Sequence, residues 1–316
     1  MTLTQLEAFV LVARLGSVKA AAKALGVSEP AVSGALAALR QHLGDPLVER
    51  TPAGMELTVG GKRLIPIASQ MVNLAVEAEA AIRDAQGAPE LLRVVATSTV
   101  AEFLAPGLLA VFTTRGAPVE ASVGLTTEAE MAALLLERLA DVGLGPRLPD
   151  LESEPVMRYR LVVVASPRHR LAAAGRLPAS AVADQQWVVG PSAVDPGSDV
   201  DGLLRRIGVP EGRLRVFGSD SAAWAAAADG EGVAPAVAHL VAPEIGRGSL
   251  AVLPVEGTPV DLLWYVSTLS PGRRSPAATR LRRFLGTPDA MHVMHRADRS
   301  VPASRFRPPV YVTLWS

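Results

Sequence analysis

The sequence predicts a multidomain protein: an all-α winged helix-turn-helix domain, a long linker helix, and a two-lobed α/β domain. Three patterns predict it. Apolar residues recur at helical spacing between glycine breaks near the N-terminus, a heptad pattern follows, and from Leu91 short apolar strands alternate with helical segments. With 316 residues, 49% of them hydrophobic, the chain can bury a core in each part and is not of the disordered class.

Composition and motifs exclude several classes of site. The chain contains no cysteine, which excludes disulfides, thiolate metal sites and cysteine nucleophiles. It also lacks the phosphate-binding glycine loops, the serine elbow and the paired-histidine helix of common enzymes, and His292 and His295 have no evident third ligand. We therefore expect no enzyme, no metal site and no cofactor.

Charge and hydropathy bear on location and partners. The N-terminus has no secretory signal pattern, and no stretch reaches 18 apolar residues, so we expect a cytoplasmic protein without a membrane partner. The 31 Lys and Arg residues balance 31 Asp and Glu residues. Whole-chain charge therefore does not indicate nucleic acid as a partner, and only local charge can.

Caps delimit the first two predicted helices. Thr4 followed by Glu7 is a capping-box pattern that predicts the start of the first helix, which Gly16 ends. Ser17 can then cap a second, alanine-rich helix over Val18–Leu25.

A third helix is predicted after Ser28, with Pro30 in its first turn, where a missing N–H costs nothing. Val32, Leu36, Leu39 and Leu43 give it one apolar face, which we expect to lie in the core. Two helices joined by a short glycine-containing turn form the helix-turn-helix pattern, whose second helix enters the major groove of DNA.

A wing and a long helix are predicted next. Leu47–Arg50 and Met55–Leu57 are strand candidates around a turn, and Thr58 can cap a helix that runs to about Ala85. Apolar residues along this helix alternate spacings of three and four, which indicates a dimerising coiled coil unless the stripe packs on the chain's own core. The stripe consists of Leu64, Ile67, Met71, Leu74, Ala78 and Ala81.

The rest of the chain has α/β patterning. Val100–Thr114 and Glu128–Leu139 are among the predicted helices. Two strands, Leu161–Ala165 and Leu262–Thr268, are long enough to cross between two α/β lobes. The other strand candidates are Leu92–Ala96, Val119–Val123, Val142–Leu144, Trp187–Val189, Leu214–Phe217 and Leu250–Pro254.

The N-terminal motif resembles that of the LysR-type transcriptional regulators. The similarity is dense over roughly the first 65 residues and looser after residue 90. The dense part includes LEAF at 6–9, GSVKAAA at 16–22, LGVS at 25–28, PAVS at 30–33 and LVERT at 47–51. The looser part includes RVVATST at 93–99, ADVGL at 140–144, PGS at 196–198 and GSDS at 218–221.

This resemblance implies partners and a domain plan. The implied partners are double-stranded DNA, further copies of the chain in a homodimer or homotetramer, and a small metabolite effector in the cleft of a periplasmic-binding-protein-like domain. The plan is a winged helix-turn-helix domain over 1–58, a linker and dimerisation helix over 59–89, an effector-binding domain over 90–300 and a tail over 301–316. Within the effector-binding domain, lobe I takes 90–161 and 267–300, and lobe II takes 162–266.

DNA recognition divides into phosphate contacts and base contacts. Lys19 and Lys23 on the second helix and Arg50 and Thr51 on the wing are the phosphate candidates, although the two lysines also fit an ordinary solvated face. The base-contact candidates lie in the early turns of the third helix: Ser28, Glu29, Pro30, Ser33 and Gly34.

The third helix departs from the family pattern. Relatives usually carry arginine, glutamine or lysine after the position of Ser33, whereas this chain has Gly34, Ala35, Ala37 and Ala38, which cannot make bidentate base contacts. Either thymine-methyl contacts with shape readout or weak, unspecific binding would follow. Residues 1–65 carry seven cationic against five acidic residues, so we expect few phosphate contacts per subunit and a reliance on avidity.

Hydroxyl residues follow two strands of the α/β part and precede helices, where free N–H groups favour an oxyanion. We therefore expect an anionic small-molecule effector of unidentified structure, although any single hydroxyl can instead cap its helix. The candidates are Thr97, Ser98, Thr99, Thr126 and Thr127 on one lobe, with Gly197, Ser198, Asp220 and Ser221 on the other.

The C-terminal residues 273–316 are the most basic part of the chain, with nine arginines against Asp289 and Asp298. They end in an alternating apolar stretch, which fits either a strand added to the sheet edge of another subunit or a solvated tail.

The sequence as a whole predicts a DNA-binding regulator whose promoter binding a small effector controls. The alternative is a small-molecule-binding protein whose sequence-specific DNA binding is weakened or lost, which Gly34 and its neighbouring alanines motivate.

Overall fold

A computed structural model describes residues 1–51, 54–85, 88–114 and 118–295. The chain divides into two units, each with its own apolar core. The first contains Met1–Leu91 and Ala133–Ala140, and the second contains Leu92–Ala132 and the described residues from Asp141 onward. Within the described residues, no helix is long and apolar enough to cross a membrane.

Three short helices begin the first unit: α1 (Leu3–Leu15), α2 (Val18–Leu25) and α3 (Glu29–Leu43). Ser17 and Ser28 cap α2 and α3 as predicted, since each hydroxyl accepts a hydrogen bond from the backbone N–H three residues later. Each of the three helices ends at a glycine in the left-handed conformation, which terminates the helical hydrogen-bond ladder.

The start of α1 differs from the prediction. Thr2 is the N-cap, and its hydroxyl accepts from the backbone N–H of Gln5 while the Gln5 side chain accepts from the Thr2 backbone. The capping box predicted at Thr4 and Glu7 is therefore wrong by two residues, because Thr2 and Gln5 provide the same reciprocal pair one half-turn earlier.

The core of the first unit forms where α1 meets α3. Phe9 of α1 is fully buried, and Val32, Leu36 and Leu39 of α3 are buried in the same cluster. The prediction was wrong for Leu43, which is 40% exposed because it is the last residue of α3 and lies beyond this contact. Because the three buried residues share one side of α3, the opposite side of the helix, which includes Gly34, faces solvent.

The wing and the long helix follow as predicted. Strands β1 (Val48–Thr51) and β2 (Gly54–Leu57) pair antiparallel. Helix α4 (Val59–Ala85) then begins where the Thr58 hydroxyl accepts a hydrogen bond from the backbone N–H of Gly61.

One stripe of α4 packs on the first unit's own core. It consists of Leu64, Ala68 and Val72, with Ala68 and Val72 buried and Leu64 partly buried against the same cluster. Leu64 therefore packs within its own chain, which is the alternative to a dimerising coiled coil for this stripe.

A second apolar stripe of α4 remains exposed. Ile67 is 56% exposed, Met71 38% and Leu74 50%, and Ala78 is also exposed. The side chain of Ala81 lies outside the described residues. Three large apolar side chains at heptad spacing on one exposed helix face are typical of a surface that pairs with another helix.

The second unit is built on one mixed sheet, with nine strands among the described residues. Its order is β4, β3, β5, β11, β6, β9, β7 and β8, with β10 also paired to β6. The strands are β3 (Glu90–Ala96), β4 (Val119–Leu125), β5 (Val142–Gly145), β6 (Glu152–Ala165), β7 (Trp187–Val189), β8 (Leu214–Val216), β9 (Val233–Val237), β10 (Ala251–Leu253) and β11 (Val260–Thr268).

The long strands β6 and β11 run through both halves of this sheet. They pair antiparallel along the whole of β11, with a register shift between Trp264 and Tyr265. Beyond the shift β11 also pairs with β5, whereas β6 pairs with β9 and β10 near its C-terminal end. We call the part with β3, β4 and β5 lobe I and the part with β7 to β10 lobe II, and the two predicted crossover strands join them.

The segment predicted as one helix over Val100–Thr114 is two helices, α5 (Ser98–Phe103) and α6 (Ala105–Thr113). Pro106 causes the break, because its ring clashes with the preceding turn and it has no N–H to donate. The strand β9 was not predicted, since Pro235 lowers the strand tendency of its short sequence. The remaining helices are α7 (Glu128–Leu136), α8 (Ala179–Ala183), α9 (Asp199–Ile207), α10 (Asp220–Ala228), α11 (Ala242–Gly246), α12 (Pro276–Leu285) and α13 (Pro288–His295).

The predicted C-terminal tail, 301–316, lies outside the described residues, as does the part of the basic segment after residue 295. His292 and His295 lie on α13.

Two glycine substitutions test the account of α3. A Cβ at Gly34 would meet no atom within 4 Å, so we expect Gly34→Ala to stabilise α3 by about 0.5–1 kcal/mol through reduced backbone entropy. Gly26→Ala is the matched control, because Gly26 has φ +64°, where alanine costs about 1–2 kcal/mol. Hydrogen–deuterium exchange of α2 and α3 peptides should slow in the first variant and accelerate in the second. Faster exchange in Gly34→Ala would contradict this account.

Candidate functional site

The first candidate site is the surface of α2 and α3. Lys19 and Lys23 of α2 are exposed. The base-contact candidates at the start of α3, namely Ser28, Glu29, Pro30, Ser33 and Gly34, are all exposed as well. Since α3 buries the face opposite to these residues, its N-terminal turns are free to enter a groove. Arg50 and Thr51 lie on β1, but their side chains lie outside the described part of the structure.

Small side chains define the character of this surface. Gly34 and Ala37 are exposed and Ala38 is half-buried, so the middle of α3 carries no long polar side chain on its open face. A helix with such a face can approach bases closely, but it can offer them apolar contacts more readily than hydrogen bonds.

The second candidate site is a cavity of about 240 Å³ in the second unit. It lies between lobe I and lobe II, where residues after β3 and β4 face the turn after β7 and the start of α9. Six of the predicted effector residues line it: Thr97, Ser98, Thr99, Thr126, Thr127 and Ser198.

Several of these hydroxyls also cap helices or bind backbone. Ser198 caps α9 by accepting from the Asp201 backbone N–H, at 3.1 Å, and it donates to the carbonyl of Ser192. Thr127 accepts from the backbone N–H of Glu130 at 3.3 Å. In contrast, the hydroxyl oxygen of Ser98 is buried and has no partner among the described residues. Ser98 is therefore the predicted hydroxyl with the most capacity left for a ligand.

Three predicted effector residues do not line the cavity. Gly197 precedes α9 in a left-handed conformation, and its backbone N–H donates to Asp201 at 2.9 Å. Asp220 and Ser221 instead begin α10 and bind Glu102, which is described below. The sequence placed all three beside the ligand because it showed only that they sit at helix starts, and helix starts occur on every side of a domain.

Four carboxylates that the sequence prediction missed lie in the cavity wall. Glu128, Glu130, Asp195 and Asp199 all line it, and no lysine, arginine or histidine is among the described lining residues. In the sequence, the acidic residues at the starts of α7 and α9 look like ordinary partners of the helix dipole. This lining gives the expectation of an anionic effector no support.

At the start of α7, the cavity's own carboxylates occupy two of the backbone donors on which that expectation depended. The backbone N–H of Glu128 donates to Asp195 at 3.2 Å, and the backbone N–H of Thr127 donates to Glu130 at 3.4 Å. An oxyanion at the start of α7 would have to displace them.

The electrostatic environment of Glu128 reflects this crowding. Burial raises the pKa of Glu128, and the nearby carboxylates of Asp199 and Asp195 raise it further. The Tyr159 hydroxyl donates to Asp199, and burial together with that carboxylate raises the pKa of Tyr159. Tyr159 is therefore a neutral donor.

Two aromatic rings form the base of the cavity. Tyr159 on β6 and Trp264 on β11 both line it, and their rings stack with centroids 4.2 Å apart. The sequence prediction missed them because it placed the start of the β6 strand at Leu161, after Tyr159, and treated Trp264 only as part of a strand.

A buried polar cluster joins lobe I to lobe II beside the cavity. Glu102 of α5 is 2% exposed and accepts hydrogen bonds from the backbone N–H groups of Asp220, at 2.9 Å, and Ser221, at 3.2 Å. The Ser221 hydroxyl also donates to Glu102, and the Thr99 hydroxyl donates to Asp220 at 2.6 Å. Glu102 thus caps the N-terminus of α10 from the other lobe, and the hydroxyl of Thr99 takes part in this contact.

Family models match the two regions of the chain that contain these candidate sites. A family model described as bacterial regulatory helix-turn-helix protein, lysR family, matches residues 3–62. A second, described as LysR substrate binding domain, matches residues 85–287. The α2–α3 surface lies within the first match, and the whole cavity lining lies within the second.

Individual relatives agree with these matches. The chain is 35% identical to the HTH-type transcriptional regulator Rv0377 of Mycobacterium tuberculosis, over 100% of both chains. Its fold is similar to that of CbnR, a LysR family transcriptional regulator, with a TM-score of 0.61 and 23% identity over 90% of this chain and 98% of that one. It is also similar to the regulatory domain of CcmR from Synechocystis PCC6803, solved in complex with 2-PG, with a TM-score of 0.52 and 25% identity over 62% of this chain and 95% of that one.

The buried cluster around Asp220 makes stability depend on pH. Burial raises the pKa of Asp220 from 3.8 to about 6, with Glu102 adding to the shift. Because the folded state holds this proton more tightly than the unfolded state, stability falls as the pH rises through this range. Asp220→Asn keeps an acceptor for Thr99 without the charge, so it should stabilise the second unit near pH 7.5 by up to about 3 kcal/mol.

Calorimetric unfolding of the full chain near pH 5 and pH 7.5 checks this prediction. The control is Asp150→Asn, at an exposed carboxylate, which should change neither melting temperature. A lower melting temperature for Asp220→Asn near pH 7.5 would contradict the prediction.

Proposed function

The chain belongs to the LysR family of bacterial transcriptional regulators, and we propose that a small molecule in the cavity of its second unit controls how paired copies bind a promoter. As a member of this family, the chain is a DNA-binding transcriptional regulator. The observation that carries the proposal is the cavity itself, which lies within the matched substrate binding domain and is lined by both lobes. The proposal requires no cofactor, metal or catalytic residue.

DNA contacts are assigned to the exposed side of α2 and α3. In this proposal the exposed Lys19 and Lys23 contact phosphates, and the exposed start of α3, from Ser28 to Gly34, contacts base edges. Since this stretch offers few long polar side chains, specificity should come from apolar contacts with thymine methyl groups and from DNA shape. No observation favours the alternative of a binding protein that has lost DNA recognition.

Pairing of copies is assigned to the exposed stripe of α4. Ile67, Met71 and Leu74 would be buried against the same helix of a second copy, which removes apolar surface from water. A dimer joins two DNA-binding surfaces, so the modest charge of each is compensated by simultaneous binding.

Control by the effector requires that the effector binds two arrangements of the assembly with different affinities. A ligand shifts the equilibrium between two arrangements of the assembly only as far as it binds one of them better than the other. A cavity formed by two lobes supplies such a difference, because a ligand that touches both lobes favours the arrangement in which they are close.

The salt dependence of DNA binding tests the lysine assignment. Each lost phosphate contact should reduce the slope of log affinity against log salt by about 0.9, so Lys19→Ala and Lys23→Ala should both flatten it. Fluorescence anisotropy with DNA from the chain's own upstream region measures the slope. Arg168→Ala, at an exposed cation outside the helix-turn-helix, is the control and should leave it unchanged. Unchanged slopes in both lysine variants would assign these residues to an ordinary solvated face.

A charge in the exposed stripe tests the dimer. Leu74→Glu should lower the mass of the assembly, because the like charges of two copies would then meet in an apolar seam. Val59→Glu is the control, since Val59 is an apolar residue of α4 that is 72% exposed but lies outside the stripe. Sedimentation velocity gives the mass. An assembly that survives Leu74→Glu unchanged would place the dimer interface elsewhere.

A further inference from the structure

The cavity wall combines many hydrogen-bond acceptors with an uncompensated negative charge. Glu128, Asp195 and Asp199 come together there, and Glu130 lies beside them. Among the described lining residues there is no side chain that carries positive charge. A ligand that enters this space replaces the water that solvates these carboxylates, so its own charge decides whether it binds.

We propose that the effector carries a protonated amine or guanidinium group, which binds between Glu128, Asp195 and Asp199. This inference rests on the proposed function, in which the cavity is the effector site. It replaces the anionic effector expected from the hydroxyl pattern of the sequence. The existence of the site does not depend on the carboxylates, because the cavity and the family match mark it independently.

The carboxylates have free acceptor positions, which favour a ligand group with several N–H donors. Asp195 accepts the Glu128 backbone N–H through one oxygen, Oδ2, and Asp199 accepts the Tyr159 hydroxyl, also through Oδ2. Each carboxylate group has about four acceptor positions, so acceptors remain on both residues. An ammonium group offers three N–H donors and a guanidinium five, with no acceptor on either.

Two buried hydroxyls beside the acids have hydrogen-bonding capacity left, which an amine can use as an acceptor. The hydroxyl oxygens of Ser98 and Ser192 are buried, line the cavity and have no hydrogen-bond partner among the described residues. A buried polar atom without a partner costs free energy, which a ligand that reaches it recovers. Both oxygens can accept from the further N–H groups of an amine.

The aromatic base fits the rest of such a ligand. The stacked rings of Tyr159 and Trp264 give the cavity an apolar floor, which suits the alkyl stem of an amine. A cavity of about 240 Å³ is smaller than the roughly 300–1,000 Å³ of sites that bind drug-sized ligands. The ligand is therefore a small amine or guanidine and not a large polycation.

Binding of a cation would also connect the two lobes. Glu128 begins α7 in lobe I, whereas Asp195 and Asp199 follow β7 in lobe II. Without a cation these like charges repel each other across the cavity, and a cation between them removes the repulsion. The ligand would thus bind more tightly to the arrangement in which the lobes are close. Control by the effector requires such a difference in affinity between two arrangements.

Calorimetric titration of the full chain tests the proposal. The probes are putrescine and agmatine as cations, with malate and inorganic phosphate as anions, all at the same ionic strength. We expect saturable binding of at least one cation and of neither anion. Glu128→Gln and Asp199→Asn should each weaken the cation by about tenfold, because each removes one charge–charge contact. Glu211→Gln, at an exposed carboxylate outside the cavity, is the matched control and should leave binding unchanged.

Three outcomes would overturn the proposal. They are the absence of binding by every cation, cation binding that neither Glu128→Gln nor Asp199→Asn weakens, and binding of malate or phosphate that Glu128→Gln strengthens. A gel mobility shift with the chain's upstream DNA separates this result from the proposed function. If a cation occupies the cavity without changing DNA binding, only the proposed function is contradicted. If an anion changes DNA binding, only the inference that the effector is a cation is contradicted.

Discussion

The antiparallel pairing of β6 with β11 holds lobe I and lobe II in one sheet, and the cavity depends on it. The two strands place Tyr159 and Trp264 side by side as the floor, while the loops after β3, β4 and β7 meet above them. That meeting brings carboxylates from both lobes together without a positive partner among the described lining residues. The sheet thus maintains an electrostatic repulsion that a bound cation would relieve.

Local signals in the sequence were sufficient for the first unit. Ser17, Ser28 and the glycines after each helix mark the helix ends, because capping depends on residues within one turn. The capping error at Thr4 has the same local origin, since Thr2 offers a competing cap. The heptad stripe was predicted from spacing alone, but spacing does not show which of two adjacent stripes packs inward, and Leu64 packs on its own unit.

The cavity could be predicted only in part. Thr97 to Thr99 were found because they follow a strand and precede a helix. Asp195, Asp199, Tyr159 and Trp264 belong to separate elements with no common motif, and only the folded sheet brings them together. The hydroxyls and helix starts alone did not reveal the acidic lining, because Asp195, which accepts the Glu128 N–H at the start of α7, is distant from that helix in sequence.

A crystal structure of the full chain with an amine that binds it would test the central claim most directly. The account predicts the ligand nitrogen within hydrogen-bonding distance of Glu128 and of Asp199, with its stem against Trp264. Ligand density elsewhere, or an anion held between Glu128 and Asp195, would contradict the account.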